Sequence, residues 1–313
     1  MKRYFLPFVF SIFLFNCGDD KTLSPSYADV NWYEIQDSSD PTDHLRYEIY
    51  KATDISIFYS DTIGKQFRGY DGFGDSIIHY EILDPYYVIS ASSGDITFSY
   101  SGDRNAIRNG MLLLRDHVIP MLNPLVYPRS FLLVERLTLN AGSTELQGYR
   151  QGNVYKGMTT TMVSHVSTFG GMSEWEKHVL AAEIAAPSWQ PYLVEKFAAE
   201  LDIFYAISNN SVTWGAGYAA NAYDRNVILN PSASGIPYRA HWNAYGFLTR
   251  SMARILTALY YTPTKIEDVC SFVQAVLTYS EAEFREVYEG VDGDAFLFAK
   301  FAIIKELMDK VNE

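Results

Sequence analysis

The strongest local constraint in this 313-residue chain is a helix signal that begins at Ser173. Ser173 followed three residues later by Glu176 forms a capping box, in which each side chain accepts a hydrogen bond from the other residue's backbone amide. An alanine-rich apolar side follows at residues 182–186. Proline cannot continue a helix without losing a backbone hydrogen bond. The pattern therefore predicts a buried helix that ends at Pro187.

The centre of this helix has the frame of a zinc-binding helix without the metal ligands. In an H-E-x-x-H helix two histidines four residues apart bind zinc, and the glutamate activates the bound water. Ala182, Glu183 and Ala186 occupy those positions here, and a methyl group has no lone pair for zinc. We therefore expect no metal on this helix alone. Glu183 is then either vestigial or an ordinary polar residue with a local partner.

Other catalytic arrangements have weaker support. The frame that starts at His178 lacks both the glutamate and the second histidine, while a metal site built from distant histidines stays open. The chain has no G-x-S-x-G elbow, and Cys270 falls on an apolar helical stripe, which predicts a buried, unreactive thiol. A glycosidase pair of carboxylates cannot be recognised from sequence, because it depends on their separation in the fold.

The first seventeen residues predict export. Two basic residues precede a short apolar run, which ends in L-F-N-C at Cys17. A transmembrane helix needs about 20 apolar residues, so residues 1–16 are predicted to be a signal peptide instead. We expect Cys17 to carry lipid and residues 17–28 to form a polar tether; a plain secretory signal and an uncleaved anchor are the alternatives. Cys270, the second of two cysteines, then has no intrachain partner.

Charge and composition limit the partners. The chain carries 25 Lys and Arg against 37 Asp and Glu, a formal net charge of −12 at pH 7. Binding phosphates requires a basic stripe, and the sequence has no such cluster, so nucleic acid is not an expected partner. No linker, internal repeat or low-complexity tract follows residue 28, which predicts one domain over residues 29–313.

Hydrophobic periodicity predicts an α+β fold with a mixed sheet. Short β-type runs at residues 55–59 and 86–89 flank a glycine-rich connection at residues 64–74. A helix that starts at Asp103 leads to the apolar run at residues 131–134, which is typical of a central buried strand.

A further strand and a helical C-terminal part complete the pattern. Residues 158–166 are rich in threonine and valine and shortly precede the alanine-rich helix. Beyond that helix we predict another over residues 241–261. Two more capping boxes begin at Thr264 and Ser280, and a last helix begins near Asp294.

Five segments follow one another in a fixed order along the chain: I-R-N-G-M-L-L-L-R-D-H-V-I-P from Ile107, Y-P-R-S-F-L-L-V from Tyr127, the helix ending A-A-E-I-A-A, Y-G-F from Tyr245, and the D-V-C-S-F helix from Asp268. In this order the chain resembles the zinc-binding metallopeptidase lipoproteins encoded beside starch-utilisation-type, TonB-dependent outer-membrane importers. The resemblance covers roughly residues 45–313. It implies a zincin-like metallopeptidase fold, with a mixed sheet, an active-site-type helix and a helical C-terminal part.

Position by position, the resemblance implies that Ala182 and Ala186 replace the two motif histidines and that Glu183 corresponds to the catalytic glutamate. Ser271 corresponds to an acidic residue of a later helix that serves as a further ligand. Three ligand positions are then empty together, and Pro187 departs from a helix that should continue. The resemblance therefore implies a pseudoenzyme without a cofactor, with zinc present only under the alternative of unrecognised ligands.

The expected function is that of a non-catalytic lipoprotein, facing the cell surface or the periplasm, that binds a peptide, a glycan or a TonB-dependent importer. An active zinc metallohydrolase of the peptidase type and a structural importer-associated surface protein are the alternatives. Lipid on Cys17 would anchor the chain in the outer membrane. Asp19 and Asp20 resemble the surface-export signal of certain bacterial lipoproteins.

Two features are expected to bind a ligand without metal. In zincin-type folds the strand before the active-site helix lies at the sheet edge, so residues 158–166 are predicted to offer a free edge to an extended peptide. Aromatic side chains beside this edge could anchor a ligand, although packing in the core is their alternative role. The candidate edge residues are Thr159, Thr161, Val163 and His165. The candidate aromatic anchors are Trp189, Trp214 and Tyr218.

Overall fold

The computed structural model describes residues 30–85, 96–139, 149–151, 153–211, 222–223, 242–251 and 262–313. Tyr33–Glu313 form one compact unit. The predicted signal peptide, the predicted lipidation site at Cys17 and the predicted strand at residues 86–89 lie outside the described residues.

Nine strands form three sheets among the described residues. They are β1 (Ser56–Phe58), β2 (Thr62–Tyr70), β3 (Ser76–Ile82), β4 (Ile96–Ser99), β5 (Ser130–Leu133), β6 (Arg136–Leu139), β7 (Tyr149–Gln151), β8 (Val154–Lys156) and β9 (Thr160–Val163). The main sheet has the order β1-β5-β9-β8-β7, while β2 pairs with β3 and β4 with β6. In the main sheet β1, β5 and β9 are parallel, whereas β8 is antiparallel to both of its neighbours. The predicted α+β class with a mixed sheet is confirmed.

The main sheet is buried on both faces around β5. Phe131 and Leu133 belong to the core shared with the helices, whereas Leu132 and Val134 belong to a second core on the opposite face. Successive side chains of a strand point to opposite faces, so a strand with apolar cover on both sides needs a continuous apolar run. The prediction of a central buried strand at residues 131–134 is thus confirmed.

Seven α-helices are present in the described residues. They are α1 (Pro41–Thr53), α2 (Arg104–Leu113), α3 (Glu174–Lys196), α4 (Ala198–Asn209), α5 (Lys265–Thr278), α6 (Glu281–Tyr288) and α7 (Asp294–Asn312). Asp103 caps α2, and the predicted capping boxes at Ser173, Thr264 and Ser280 are all formed with reciprocal hydrogen bonds. These helix starts can be predicted from the sequence, because a cap joins groups that are only two or three residues apart.

The end predicted for the alanine-rich helix is wrong. α3 continues through Pro187 and Pro191 to Lys196. Each proline removes one backbone hydrogen bond and costs about 3 kcal/mol in a helix interior. Beyond the first proline, Trp189 and Leu193 are fully buried, and the Trp189 indole also donates to the Met121 carbonyl, so tertiary contacts oppose this cost. Packing against the core therefore keeps the second half of α3 helical.

The predicted glycine-rich connection at residues 64–74 is mostly strand. β2 runs to Tyr70 and pairs with β3 in a hairpin, where Gly69 and Gly74 have positive φ angles near the turn. Phe67 lies opposite Ile78 on one exposed apolar face of this hairpin. The glycines serve the turn and the register shift, which are positions that require left-handed backbone.

The helix predicted over residues 241–261 is also corrected. In the described part of that range only Trp242–Tyr245 forms a short 3₁₀ turn, and residues 252–261 lie outside the described residues. Gly246 follows with φ +80, and the Asn243 side chain donates to the Phe247 carbonyl. The left-handed glycine ends the turn at once, because that backbone conformation is incompatible with a continuing helix.

A buried ion pair joins the C-terminal helices. Lys300 of α7 and Asp268 of α5 have no exposed side-chain surface, and Nζ donates to Oδ2 over 2.5 Å. Nζ also donates to Ser208 Oγ on α4 and to the Gly246 carbonyl, both at 2.9 Å. The Tyr223 hydroxyl donates to the same Asp268 oxygen at 2.6 Å. Burial lowers the pKa of Lys300 to about 8 and raises the pKa of Asp268, so neither charge is tolerated without the other.

We predict that Lys300→Met lowers the free energy of unfolding by about 3–5 kcal/mol, because it leaves the Asp268 carboxylate buried and unpaired. Lys305→Met is the matched control, since Lys305 pairs with Asp309 on the exposed side of the same helix and such pairs contribute about 0–1 kcal/mol. Urea unfolding followed by circular dichroism measures both. Similar losses in the two variants would contradict a structural role for the buried pair.

Candidate functional site

The three positions matched to metal ligands do not fit zinc. Ala182 and Ala186 are fully buried, and neither offers a lone pair. The Ser271 hydroxyl is buried and donates to the Asp268 carbonyl at 2.8 Å. Within the described ranges, no group of three or more His, Cys, Asp or Glu side chains could hold a metal ion.

Glu183 remains as a largely buried carboxyl on α3. Its Oε1 accepts a hydrogen bond from the Asn153 amide at 3.2 Å. Burial raises the pKa of Glu183 to about 7, and the hydrogen bond from Asn153 only partly offsets this rise. The Glu183 carboxyl therefore has a backbone partner, the Asn153 amide, just before β8.

The free edge predicted at residues 158–166 is corrected by the structure. β9 pairs with β5 on one side and with β8 on the other, so it is an internal strand. Thr161 and Val163 are fully buried, Thr159 lies in the β8–β9 turn, and His165 follows the strand. The β-branched composition correctly indicates a strand, but strand composition does not determine which strands lie beside it.

Trp189 packs in the core and cannot anchor a surface ligand. Its side chain is 1% exposed, and its indole Nε1 donates to the Met121 carbonyl at 3.0 Å. Trp214 and Tyr218 lie outside the described residues. The core alternative for aromatic residues therefore holds for Trp189.

His178 and Cys270, two other residues considered from the sequence, both pack against neighbouring residues of the fold. His178 stacks on Trp175, and its Nε2 lies 3.2 Å from the Thr278 carbonyl. Cys270 is fully buried, and burial raises the pKa of its thiol well above the usual range. A thiol that stays protonated and inaccessible is a poor nucleophile.

A cleft of about 530 Å³ lies beside the second half of α3, and we call it the α3 cleft. Its other walls are the end of β8 with the β8–β9 turn and the 3₁₀ segment that precedes β5. Leu125 and Met158 are 63% and 74% exposed, and together with the exposed Ile266 they make an apolar rim. Its remaining lining includes Pro85, Tyr127, Pro128, Tyr155, Lys156, Gly157, Pro187, Ser188, Gln190, Pro191, Tyr192 and Glu195.

The α3 cleft contains polar groups that the fold itself does not satisfy. Ser188 Oγ is buried without a hydrogen-bond partner in the described chain. Because proline nitrogen carries no hydrogen, Pro187 and Pro191 deprive the carbonyls of Glu183 and Pro187 of their usual helical donors.

Sequence reasoning missed this cleft, although one signal was available. Pro187 and Pro191 stand four residues apart, and both line the cleft once the helix is seen to continue. Lys156 and Ser188 carry no motif and are far apart along the chain. Only the packing of the β8–β9 turn beside α3 brings them to one cavity.

Comparisons with known proteins find no match among protein-family models, curated proteins or solved structures. Among the described helices, none is both long and apolar enough to span a membrane.

We predict that Glu183→Gln becomes more stable than the wild type as the pH rises from about 4.5 to 8. The folded-state pKa is about 7 against an ordinary value of 4.5, so the folded protein binds more protons in this window and loses stability as they dissociate. The difference should reach on the order of 1–3 kcal/mol at pH 8 and vanish near pH 4.5. Urea titrations across this range measure it.

Glu195→Gln is the matched control, because Glu195 is an exposed carboxylate on the same helix. An exposed charge is screened by solvent, and its removal should leave the pH profile unchanged. A Glu183→Gln profile parallel to that of the wild type would show that the carboxyl is ionised at no cost in the folded state.

Proposed function

We propose that this protein is a non-catalytic, lipid-anchored binding protein with a zincin-like metallopeptidase fold, and that the α3 cleft holds a peptide segment. The observation that carries the proposal is the cleft itself. It has an apolar rim and a buried hydroxyl without a described partner, and it lies beside a helix with alanine at the two positions matched to motif histidines.

The order and packing of the elements support the zincin-like part of the proposal. A mixed sheet leads from β9 into the long helix α3, and α5 packs along α3 in the helical C-terminal part. Ser271 on α5 thus belongs to the helix that, in the resemblance, supplies a further ligand to this region. Its hydroxyl is already used within α5 by the Asp268 carbonyl.

Binding is favoured over hydrolysis by the groups that are present. Glu183 is a single carboxyl whose only described hydrogen bond comes from Asn153. Its raised pKa would suit a general base. Hydrolysis of a peptide bond also needs a group to polarise the carbonyl, such as a metal or an oxyanion hole. Alanine has no lone pair, and the Ser271 hydroxyl already donates to the Asp268 carbonyl. The positions matched to metal ligands therefore do not hold a metal that could polarise the carbonyl.

A peptide suits the α3 cleft better than a glycan. Extended peptides present alternating amide donors and acceptors along an apolar side-chain surface. The unpartnered Ser188 hydroxyl can bond to such an amide, and Leu125 and Met158 offer apolar contact. The exposed Leu125, Met158 and Ile266 of the rim are matched better by peptide side chains than by sugar hydroxyls.

We further propose that Cys17 anchors the chain by lipid to the outer membrane, facing the surface or the periplasm, beside a TonB-dependent importer. The basic start, the short apolar run and the L-F-N-C ending support the anchor. In that position the α3 cleft could hold peptides before import or a loop of the importer.

Peptide binding to the α3 cleft is expected to depend on its rim. Leu125→Asp with Met158→Asp places two charges where the ligand should make apolar contact. Ile203→Asp with Val287→Asp is the matched control, because these side chains are 62% and 51% exposed on other helices. We expect the rim variant to retain at least about tenfold less tryptic casein peptide than the control in ultrafiltration with mass spectrometry, since central apolar anchors dominate binding.

Equal retention by the two double variants would contradict the α3 cleft as the binding site. The same samples also test catalysis, because the wild type should return the casein peptides uncut. A zinc content of about one ion per chain, together with chelator-sensitive cleavage, would refute the non-catalytic assignment and favour a metallohydrolase.

Lipid attachment is expected to require Cys17. Cells fed a palmitate analogue should label the wild type and Cys270→Ala but not Cys17→Ala, because the second cysteine is buried in the folded unit. Cys17→Ala should also leave the membrane fraction. Labelling of Cys17→Ala at the wild-type level would exclude this anchor.

A further inference from the structure

Lys156 is a cation in the α3 cleft without a counter-charge. The residue ends β8 and lines the cleft, and its side chain is partly buried. No described residue forms an ion pair or a side-chain hydrogen bond with it. Burial alone lowers the pKa of its amine, and no neighbouring charge contributes. Within the described part of the chain, this ammonium group is therefore held partly out of water with no compensating charge.

The carboxylates of the same region are engaged elsewhere. Glu183 accepts from the Asn153 amide, and its raised pKa has no contribution from Lys156. Glu195, which also lines the cleft, pairs with Lys196 at 3.2 Å. Neither carboxyl neutralises Lys156 in the folded protein.

The backbone around Lys156 is fixed. The Gly157 amide donates to the Thr160 carbonyl at 3.0 Å, which closes the β8–β9 turn. A Cβ on Gly157 would lie 2.2 Å from the Pro85 carbonyl oxygen, so only glycine allows this approach. The backbone that carries the Lys156 side chain is thus held by the β8–β9 turn and by the close approach of Pro85.

A bound ligand would remove the water that still solvates this ammonium. Covering an unpaired charge is unfavourable, whereas a carboxylate placed against it forms a charge-assisted hydrogen bond. The chain as a whole is acidic, with a net charge of −12, so general electrostatics would repel an acidic ligand. Selection of an anion must then come from a local cation such as Lys156.

We propose that Lys156 binds a carboxylate of the peptide held in the α3 cleft, and so selects peptides that carry an acidic group within an apolar segment. This inference rests on the proposed peptide-binding function. A peptide carboxylate has two sources, the free C-terminus and an acidic side chain, and both present the same group to the amine.

The test uses the full-length protein and three N-acetylated hexapeptide libraries built from Leu, Pro, Tyr and Ala. The first library ends in a free carboxylate, the second ends in an amide, and the third ends in an amide but contains one internal Glu. Ultrafiltration with mass spectrometry measures the retained fraction for the wild type, Lys156→Met, Lys156→Arg and Lys51→Met. Lys51 is an exposed lysine on α1, and its variant controls for the lost net charge.

We expect the wild type to bind at least one carboxylate library about tenfold to a hundredfold more tightly than the neutral amide library, as a hydrogen bond to a charged group allows. Lys156→Met should abolish this preference while still binding the neutral library, and Lys156→Arg and Lys51→Met should keep it. The carboxylate library that binds more tightly identifies whether the bound carboxylate is a free C-terminus or an acidic side chain.

Two outcomes overturn the inference in distinguishable ways. Equal binding of the three libraries, or a carboxylate preference that survives Lys156→Met, refutes the role of Lys156 and leaves peptide binding in place. No binding of any library to the wild type refutes the proposed function together with the inference. Circular dichroism of Lys156→Met checks the fold, which should persist because methionine removes an uncompensated charge.

Discussion

The ion pair between Lys300 and Asp268 is the constraint on which the C-terminal half of the structure depends. A fully buried ammonium needs its carboxylate and further acceptors, so α4, α5, α7 and the Gly246 segment must meet at one point. Aromatic rings of Phe204 and Phe272 pack around the same Nζ. Once α5 is fixed in this way, it packs along α3 and sets one wall of the core.

α3 has two sides with different physical roles. One side carries Ala182 and Ala186, whose small side chains are fully buried. Histidines there would bring polar ring nitrogens that need partners or a metal, whereas methyl groups need none. The cleft side carries Pro187 and Pro191, which line the α3 cleft and release backbone carbonyls. In the proposed function, the features that remove a metal and those that shape a peptide site thus lie on one helix.

The α3 cleft combines apolar contact with a small number of unsatisfied polar groups. Such groups are costly in the empty protein, because a buried hydroxyl or amine without a partner loses its hydration. Ser188 and Lys156 both show this condition within one cavity. A ligand that satisfies them would gain affinity and orientation together, which is the physical basis for proposing a binding role.

Sequence alone determined the features that arise from neighbours in the chain. The caps at Ser173, Thr264 and Ser280 and the apolar strand around Phe131 follow from groups a few residues apart. Tertiary structure decided whether α3 ends at Pro187, whether β9 is an edge strand, and whether Trp189 faces solvent. Each of these depends on partners distant in sequence: the core beneath α3, the β7–β8 hairpin beside β9, and the Met121 carbonyl. For the same reason the sequence does not single out Lys156. Only the fold places it in a cleft, where no described residue supplies a counter-charge.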